Sequence, residues 1–165
     1  MQQAILSKLL VFRAGDRACA LRVEEVVEIV PIAKLSNLAG QPPLIHGFLN
    51  LRGEMIPVMQ LSRLLNLSVE EPSLHAPILI VRTPLLVAGF LLERVDGVAE
   101  EFELDAERSG HLSFNGCSDA EVRVGGESVT VLAAHRLLLE QERQCVMAFT
   151  VQAQSRGGLL AAAGS

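Results

Sequence analysis

Leu44 to Leu65 read LIHGFLNLRGEMIPVMQLSRLL, and the reading of this stretch decides the fold. Apolar residues alternate up to Leu51, Arg52-Gly53-Glu54 makes a turn, and a second β-rich run ends at Leu61, so a hairpin leading into a short helix is expected. Arg52 stands at the tip. Gly53 alone supplies the turn geometry in this reading, so a fixed cation sits where packing asks for none. A solvated turn arginine looks the same in isolation, and the rest of the chain has to decide between the two.

Upstream, KLLVFR (Lys8 to Arg13) reads as a strand, Ala14-Gly15-Asp16 as a turn and ACALRV (Ala18 to Val23) as its partner strand. Glu24 to Val30 (EEVVEIV) is expected to form a short helix ended by Pro31. Val26, Ile29 and Val30 have helical spacing there, and Glu24 and Glu25 suit a first turn. An irregular strand over Lys34 to Leu38 and a Gly40-Gln41-Pro42-Pro43 turn then lead to the central hairpin. Glu70 to Pro77, with two prolines, marks a subdomain boundary.

Downstream, the order begins again with the buried strand Ile78-Leu79-Ile80-Val81 and a run from Pro84 through Gly89 to Val95. Shifting the chain by 69 residues lays Leu9 to Phe12 on Ile78 to Val81 and Val23 to Val26 on Leu92 to Val95. A shift of 73 lays Val58 to Leu65 on Val131 to Leu138, identical at four of eight positions. The expected architecture is therefore mainly β, a degenerate duplication of a small barrel unit closed by a short helix, with subdomains at about 8–70 and 76–138. Gly125-Gly126 is read as a hairpin turn. Glu100 to Glu121, acidic and rich in Ser, Gly and Asn, is read as a loop or edge strand, residues 139–154 as a terminal helix or strand, and 155–165 as a frayed, disordered tail.

Composition narrows the function. Of 165 residues half are hydrophobic, enough for a sizeable core, and the longest uncharged apolar run, Pro84 to Leu92, is about half of the ~20 residues a membrane-spanning helix needs. Neither direct membrane insertion nor a secretory signal is expected, so the predicted location is cytoplasmic. A net charge of −5, two lysines and no Trp or Tyr argue against nucleic acid as a partner. Cys19, Cys117 and Cys145, odd in number and far apart, suit buried free thiols better than disulfides or zinc.

No catalytic chemistry stands out. Ser7, Ser36, Ser62, Cys19 and Cys117 lack a motif that would place them beside a base, the four histidines are not at metal-ligand spacing, and nucleotide-binding glycine loops are absent. A non-enzyme without a cofactor or metal is expected. His46 is placed on the outer face of its strand.

The order LVF, VEEVVEIVPI, IHGFLNLRGEMIPVMQLSRLL, ILIV, VAGFLLERVDGV and VTVLAAHRLL resembles the CheW-like domain over roughly residues 8 to 138. Its most specific part is Gly47 to Gly53 followed by Ile56-Pro57-Val58. The resemblance implies two tandem SH3-like five-stranded β-barrels with short connecting helices. It also implies a chemotaxis-type adaptor coupling chemoreceptor cytoplasmic tips to the regulatory domain of a CheA-like histidine kinase, associated with the inner membrane through receptor arrays. By the same resemblance Val26, Glu28, Asn50, Arg52 and Val87 are candidate partner-binding residues. Core packing is the competing reading for Val26 and Val87, whereas burying the Glu28 carboxylate unpaired would be costly, which favours a surface or interface role for it.

Three positions depart from the family pattern: Gln60, where an Asp helix cap is usual, Ala133, where an Asp or Asn cap is usual, and Glu93, where Asp is usual. A lost cap costs about 1 kcal/mol, so Leu64, Leu65, Leu137 and Leu138 must hold those helices by docking inward. A different class remains as the alternative: a sensory barrel module that holds a small ligand between its barrels.

Overall fold

The structure, a computed structural model, describes residues 8–31, 35–67, 71–73, 75–84, 86–105 and 117–163, with side chains of the last helix described through Ser155. Eleven strands appear in chain order among these residues. They are β1 (Leu9–Ala14), β2 (Arg17–Arg22), β3 (Val26–Val30), β4 (Gly47–Leu51), β5 (Glu54–Gln60), β6 (Ile78–Arg82), β7 (Val87–Leu91), β8 (Arg94–Ala99), β9 (Glu103–Leu104), β10 (Ser118–Val124) and β11 (Glu127–Leu132). Two helices join them, the single turn α1 (Leu61–Leu64) and the long α2 (Glu140–Ala163).

The strands form two sheets, ordered β8-β1-β2-β11-β10-β9 and β3-β6-β7-β5-β4, neither closed by its ladder. Each sheet draws on both sides of the boundary expected at 70–76, so that boundary does not separate them. The first hairpin of each repeat is exchanged into the other repeat's sheet. With the short edge strand β9 set aside and the others numbered within a repeat, both sheets read third, first, second, fifth, fourth strand, with the first and second from one repeat and the rest from the other.

Register confirms the equivalence. The parallel pair β5–β7 sets Val58 opposite Gly89, and the parallel pair β11–β2 sets their counterparts Val131 and Ala20 opposite each other. Pairing skips Val27 on β3 and its counterpart Asp96 on β8, two bulges at one repeat position. Val23 N–H donates to Lys8 O at 3.0 Å, and Leu92 N–H donates to Pro77 O at 3.1 Å in the same relation.

Alternation within strands divides the apolar residues among three clusters. Leu9 and Val11 of β1 fill one barrel with Ala18, Ala20, Val122, Val129 and Val131, while Ile78 and Ile80 of β6 fill the other with Leu49, Ile56, Val58 and Leu91. The opposite faces, Leu10, Phe12, Leu79 and Val81 among them, enter a third cluster shared by the two sheets. Gln60 and Ala133 are the N-cap residues expected, neither making a side-chain cap bond. Leu64, Leu65 and Leu137 are buried and Leu138 partly so, as that loss requires.

Several expectations are corrected. Glu24 to Val30 is not a helix: after a 3₁₀ turn at Val23–Glu25, Val26–Val30 is a strand. Four β-branched residues in five favour the pleat, and alternate exposure shows a period of two, which helical spacing over so short a run cannot be told from. Cys145 is exposed on α2, unlike the buried Cys19 and Cys117. The backbone expected to fray over 155–165 is helical through Ala163. Lys34 and residues 106–116 of the acidic loop lie outside the described residues, and the short edge strand β9 follows its start.

Candidate functional site

The central hairpin is β4–β5, with Leu51 paired to Glu54 across a two-residue turn. Arg52 and Gly53 both have positive φ, 52° and 88°, the signature of the type I′ turn that matches strand twist. Gly53 therefore does not supply the geometry alone. The equivalent turn between β10 and β11 has φ of 57° and 84° at Gly125 and Gly126. Arginine thus occupies a left-handed position that its counterpart fills with glycine, a conformation costing a residue with a Cβ about 1 kcal/mol. Asn50 Oδ1 accepts a hydrogen bond from Gly53 N–H at 2.9 Å, which fixes the turn from within.

The Arg52 side chain, 72% exposed, donates from Nη2 to Glu28 Oε1 at 2.6 Å. Glu28 lies on β3 and Arg52 beside β4, the two opposite edges of one sheet, so this ion pair bridges the seam the backbone ladder leaves open. Both counterparts in the other sheet are glycine, Gly97 and Gly125. The pair belongs to one barrel alone.

Beside the tip runs a groove of about 600 Å³ between Met55 and Ile56 of β5, Leu86 and Val87 at the start of β7, and Met147, Thr150, Val151 and Gln154 of α2. Proline opens it. Asn50 and Met55 face each other at a non-hydrogen-bonded position of the hairpin, so the amides of alternate β5 residues, 55, 57 and 59, point toward β7. Pro57 has no N–H to give, and β5 pairs with β7 only from Val58 onward. In the other sheet Thr130 takes the place of Pro57, and the ladder there begins one residue earlier, at Thr130 opposite Cys19.

Helix α2 lies along β5 as the groove's second wall. Val146 and Ala153 are fully buried beneath it, and Phe149 stacks in a tilted arrangement on Phe48 with ring centres 5.9 Å apart. Gln154 Oε1 accepts from Met55 N–H at 2.8 Å, while its Nε2 donates to Gly53 O at 3.2 Å.

Of the residues singled out from the sequence, Arg52, Glu28, Asn50 and Val87 meet at this end of the molecule. Val26 does not line the groove; it is half-buried, opposite Val81, and packs on the shared cluster. Sequence reasoning missed the α2 wall and an apolar seam on the edge strands. Val23, Val27 and Ile29 on and before β3 are exposed, as is Val98 on β8. Ile29 and Val98 are repeat counterparts, 42% and 55% exposed, and their duplication was the signal available.

Buried polar groups lie elsewhere. Glu121 on β10 is 1% exposed and accepts from Ser128 Oγ at 2.5 Å and Thr130 Oγ1 at 2.8 Å. Burial pushes the neighbouring Cys19 thiol up to about 12 and the Cys117 thiol to about 11, leaving both poor nucleophiles. Glu93, the departure from the usual Asp, accepts from Gly15 N–H at 2.8 Å and so ties the β7–β8 connection to the β1–β2 turn. Among the described residues no three His, Cys, Asp or Glu side chains gather as a metal site requires, and no helix is long and apolar enough to cross a membrane.

Comparison with known proteins places this geometry. The profile of the CheW-like domain matches residues 8–142. The chain is 27% identical over 135 residues to the chemotaxis protein CheW of Thermotoga maritima, covering 81% of this chain and 88% of that protein. It is 29% identical over 100 residues to the chemotaxis protein CheW of Bacillus subtilis, covering 61% and 64%. The crystal structure of the scaffolding protein TtCheW from Thermoanaerobacter tengcongensis superposes with a TM-score of 0.69 at 21% identity, covering 81% of this chain and 92% of that one, and so shares the fold.

Proposed function

Because the chain belongs to the CheW-like domain family, we propose that it is a non-enzymatic chemotaxis adaptor, coupling the cytoplasmic tip of a chemoreceptor to the regulatory domain of a CheA-type histidine kinase. In that role it sits in the cytoplasm, held at the inner membrane by receptor arrays. The observation that carries this reading is Arg52. A left-handed arginine, largely exposed, is kept where the duplicated turn has glycine, and an ion pair as exposed as its contact with Glu28 adds little to folding, so the charge suits a partner better than the fold. Asn50 shapes the turn, Glu28 aims the guanidinium, and Val87 contributes apolar surface beside it. The exposed Val23, Val27 and Ile29 add an apolar edge of the kind an amphipathic helix covers.

A titration tests this. The purified chain should bind a soluble receptor-tip fragment or a CheA regulatory domain from its own organism at tens of micromolar or below. Arg52→Glu should weaken that binding about thirtyfold, ~2 kcal/mol for an interface hot spot, while thermal stability moves by no more than ~0.5 kcal/mol. Retention of neither partner by the unaltered chain ends the adaptor reading.

A further inference from the structure

We propose that Gln154 is a positioning residue, standing in for a missing strand at the open start of β5 and thereby setting the Arg52 turn. The inference rests on the adaptor reading above and adds to it a control point on α2. Three observations converge. Pro57 removes a donor from the β7-facing side of β5, and the ladder with β7 begins only at Val58. That leaves the Met55 amide and the Gly53 carbonyl beside the groove, and the carboxamide of Gln154 satisfies both, accepting at 2.8 Å and donating at 3.2 Å. The two bonds have opposite polarity, so one orientation of the amide serves both, as a neighbouring strand would.

The bonded groups bracket the turn. Gly53 N–H is held by Asn50 and Gly53 O by Gln154, so the residue after Arg52 is tied on both sides. Glu28 then fixes the guanidinium itself. Gln154 is held in turn by its own helix, because Ala153 next to it and Val146 two turns earlier are buried in the shared core. The duplicate turn at Gly125-Gly126 has a threonine in place of Pro57, and there Arg13 pairs with Glu127. The tether is thus found in the barrel that carries Arg52.

The first measurement needs no partner: amide hydrogen exchange followed by NMR on the full chain. Gln154→Ala should speed exchange at Met55 at least tenfold while Ile80 and Val131, central in their sheets, keep their rates. Gln154→Glu keeps the acceptor for Met55 and loses the donor to Gly53, so Met55 should stay protected. Unchanged exchange at Met55 in Gln154→Ala overturns the proposal, as does an equal rise at Ile80 and Val131.

The second measurement titrates a soluble chemoreceptor-tip fragment. Gln154→Ala should weaken binding about tenfold, and Gln154→Ala added to Arg52→Ala should weaken it no further than Arg52→Ala alone. Multiplying losses would show that Gln154 acts independently of Arg52 and would overturn the positioning role. Should the unaltered chain fail to bind the fragment, the adaptor reading falls and the exchange result alone decides whether Gln154 sets the turn.

Discussion

Arg52 and Glu28 show how a residue's meaning changes once its counterpart is known. As a turn arginine Arg52 is unremarkable, yet the duplicate turn adopts the same φ pair with two glycines, which separates backbone demand from side-chain purpose. Glu25, nearby, tells a different story. Its Oε1 is buried without a hydrogen-bond partner among the described residues, and burial raises its carboxyl above the ordinary value of 4.5, with Arg22 pulling the other way. A raised folded value means that the native state holds the proton longer than the unfolded chain. Glu25 therefore contributes stability below about pH 4.5 that is lost as pH rises through its folded value. Glu25→Gln should raise the melting temperature at pH 7 relative to the unaltered chain and erase part of its fall between pH 4.5 and 7. Melts at the two pH values check this, and an equal or lower melting temperature at pH 7 would refute it.

At the scale of elements, the hairpins were legible because alternation and glycine turns are local signals, and β1, β2 and β4 to β7 lie close to where those signals put them, whereas β10 begins at Ser118, inside the stretch read as a loop or edge strand, and has partners on both sides. Val26–Val30 was not, because five residues satisfy two periods at once and only the β6 partner decides. Helix α2 was half visible, since its inward face is made of Val146, Phe149 and Ala153, whose significance depends on the hairpin they cover. For the same reason Gln154 gave no sign of itself: its partners Gly53 and Met55 are about a hundred residues away. Strand β7 yields a direct test. A Cβ on Gly89 would lie 3.0 Å from Ile78 Cγ2 and 3.1 Å from Val58 Cγ2, inside a filled barrel, whereas the other barrel accepts Ala20 at the equivalent place. Gly89→Ala should cost about 1–2 kcal/mol through overpacking, read as a lower urea midpoint. A midpoint that rises would show that this barrel is looser than its side chains suggest.

For the molecule as a whole, the repeat was legible in residue matches, while the exchange between repeats was not, because a shift alignment reports likeness and says nothing about which copy pairs with which. The consequence is mechanical interdependence. A chain divided between Ser73 and His75 would leave each fragment with the first hairpin of one sheet and the remaining strands of the other. Neither fragment should give a cooperative melt alone, and an equimolar mixture should regain one. Independent melting of either fragment would contradict the exchanged topology.

The parallel pairing of β2 with β11 also sets a timetable for synthesis. Cys19 leaves the ribosome more than a hundred residues ahead of Thr130 and waits for it before its strand has a neighbour on that side. Meanwhile β1 and β2 form a two-stranded ribbon, too small to be stable by itself. The sheet that holds this pair thus cannot be completed before β11 has emerged, and contacts so distant in sequence close slowly. Until β8 and β11 emerge, the nascent chain should carry its apolar first hairpin with both edges open, which makes it a client for holding chaperones in a way that a chain of two separate barrels would not be.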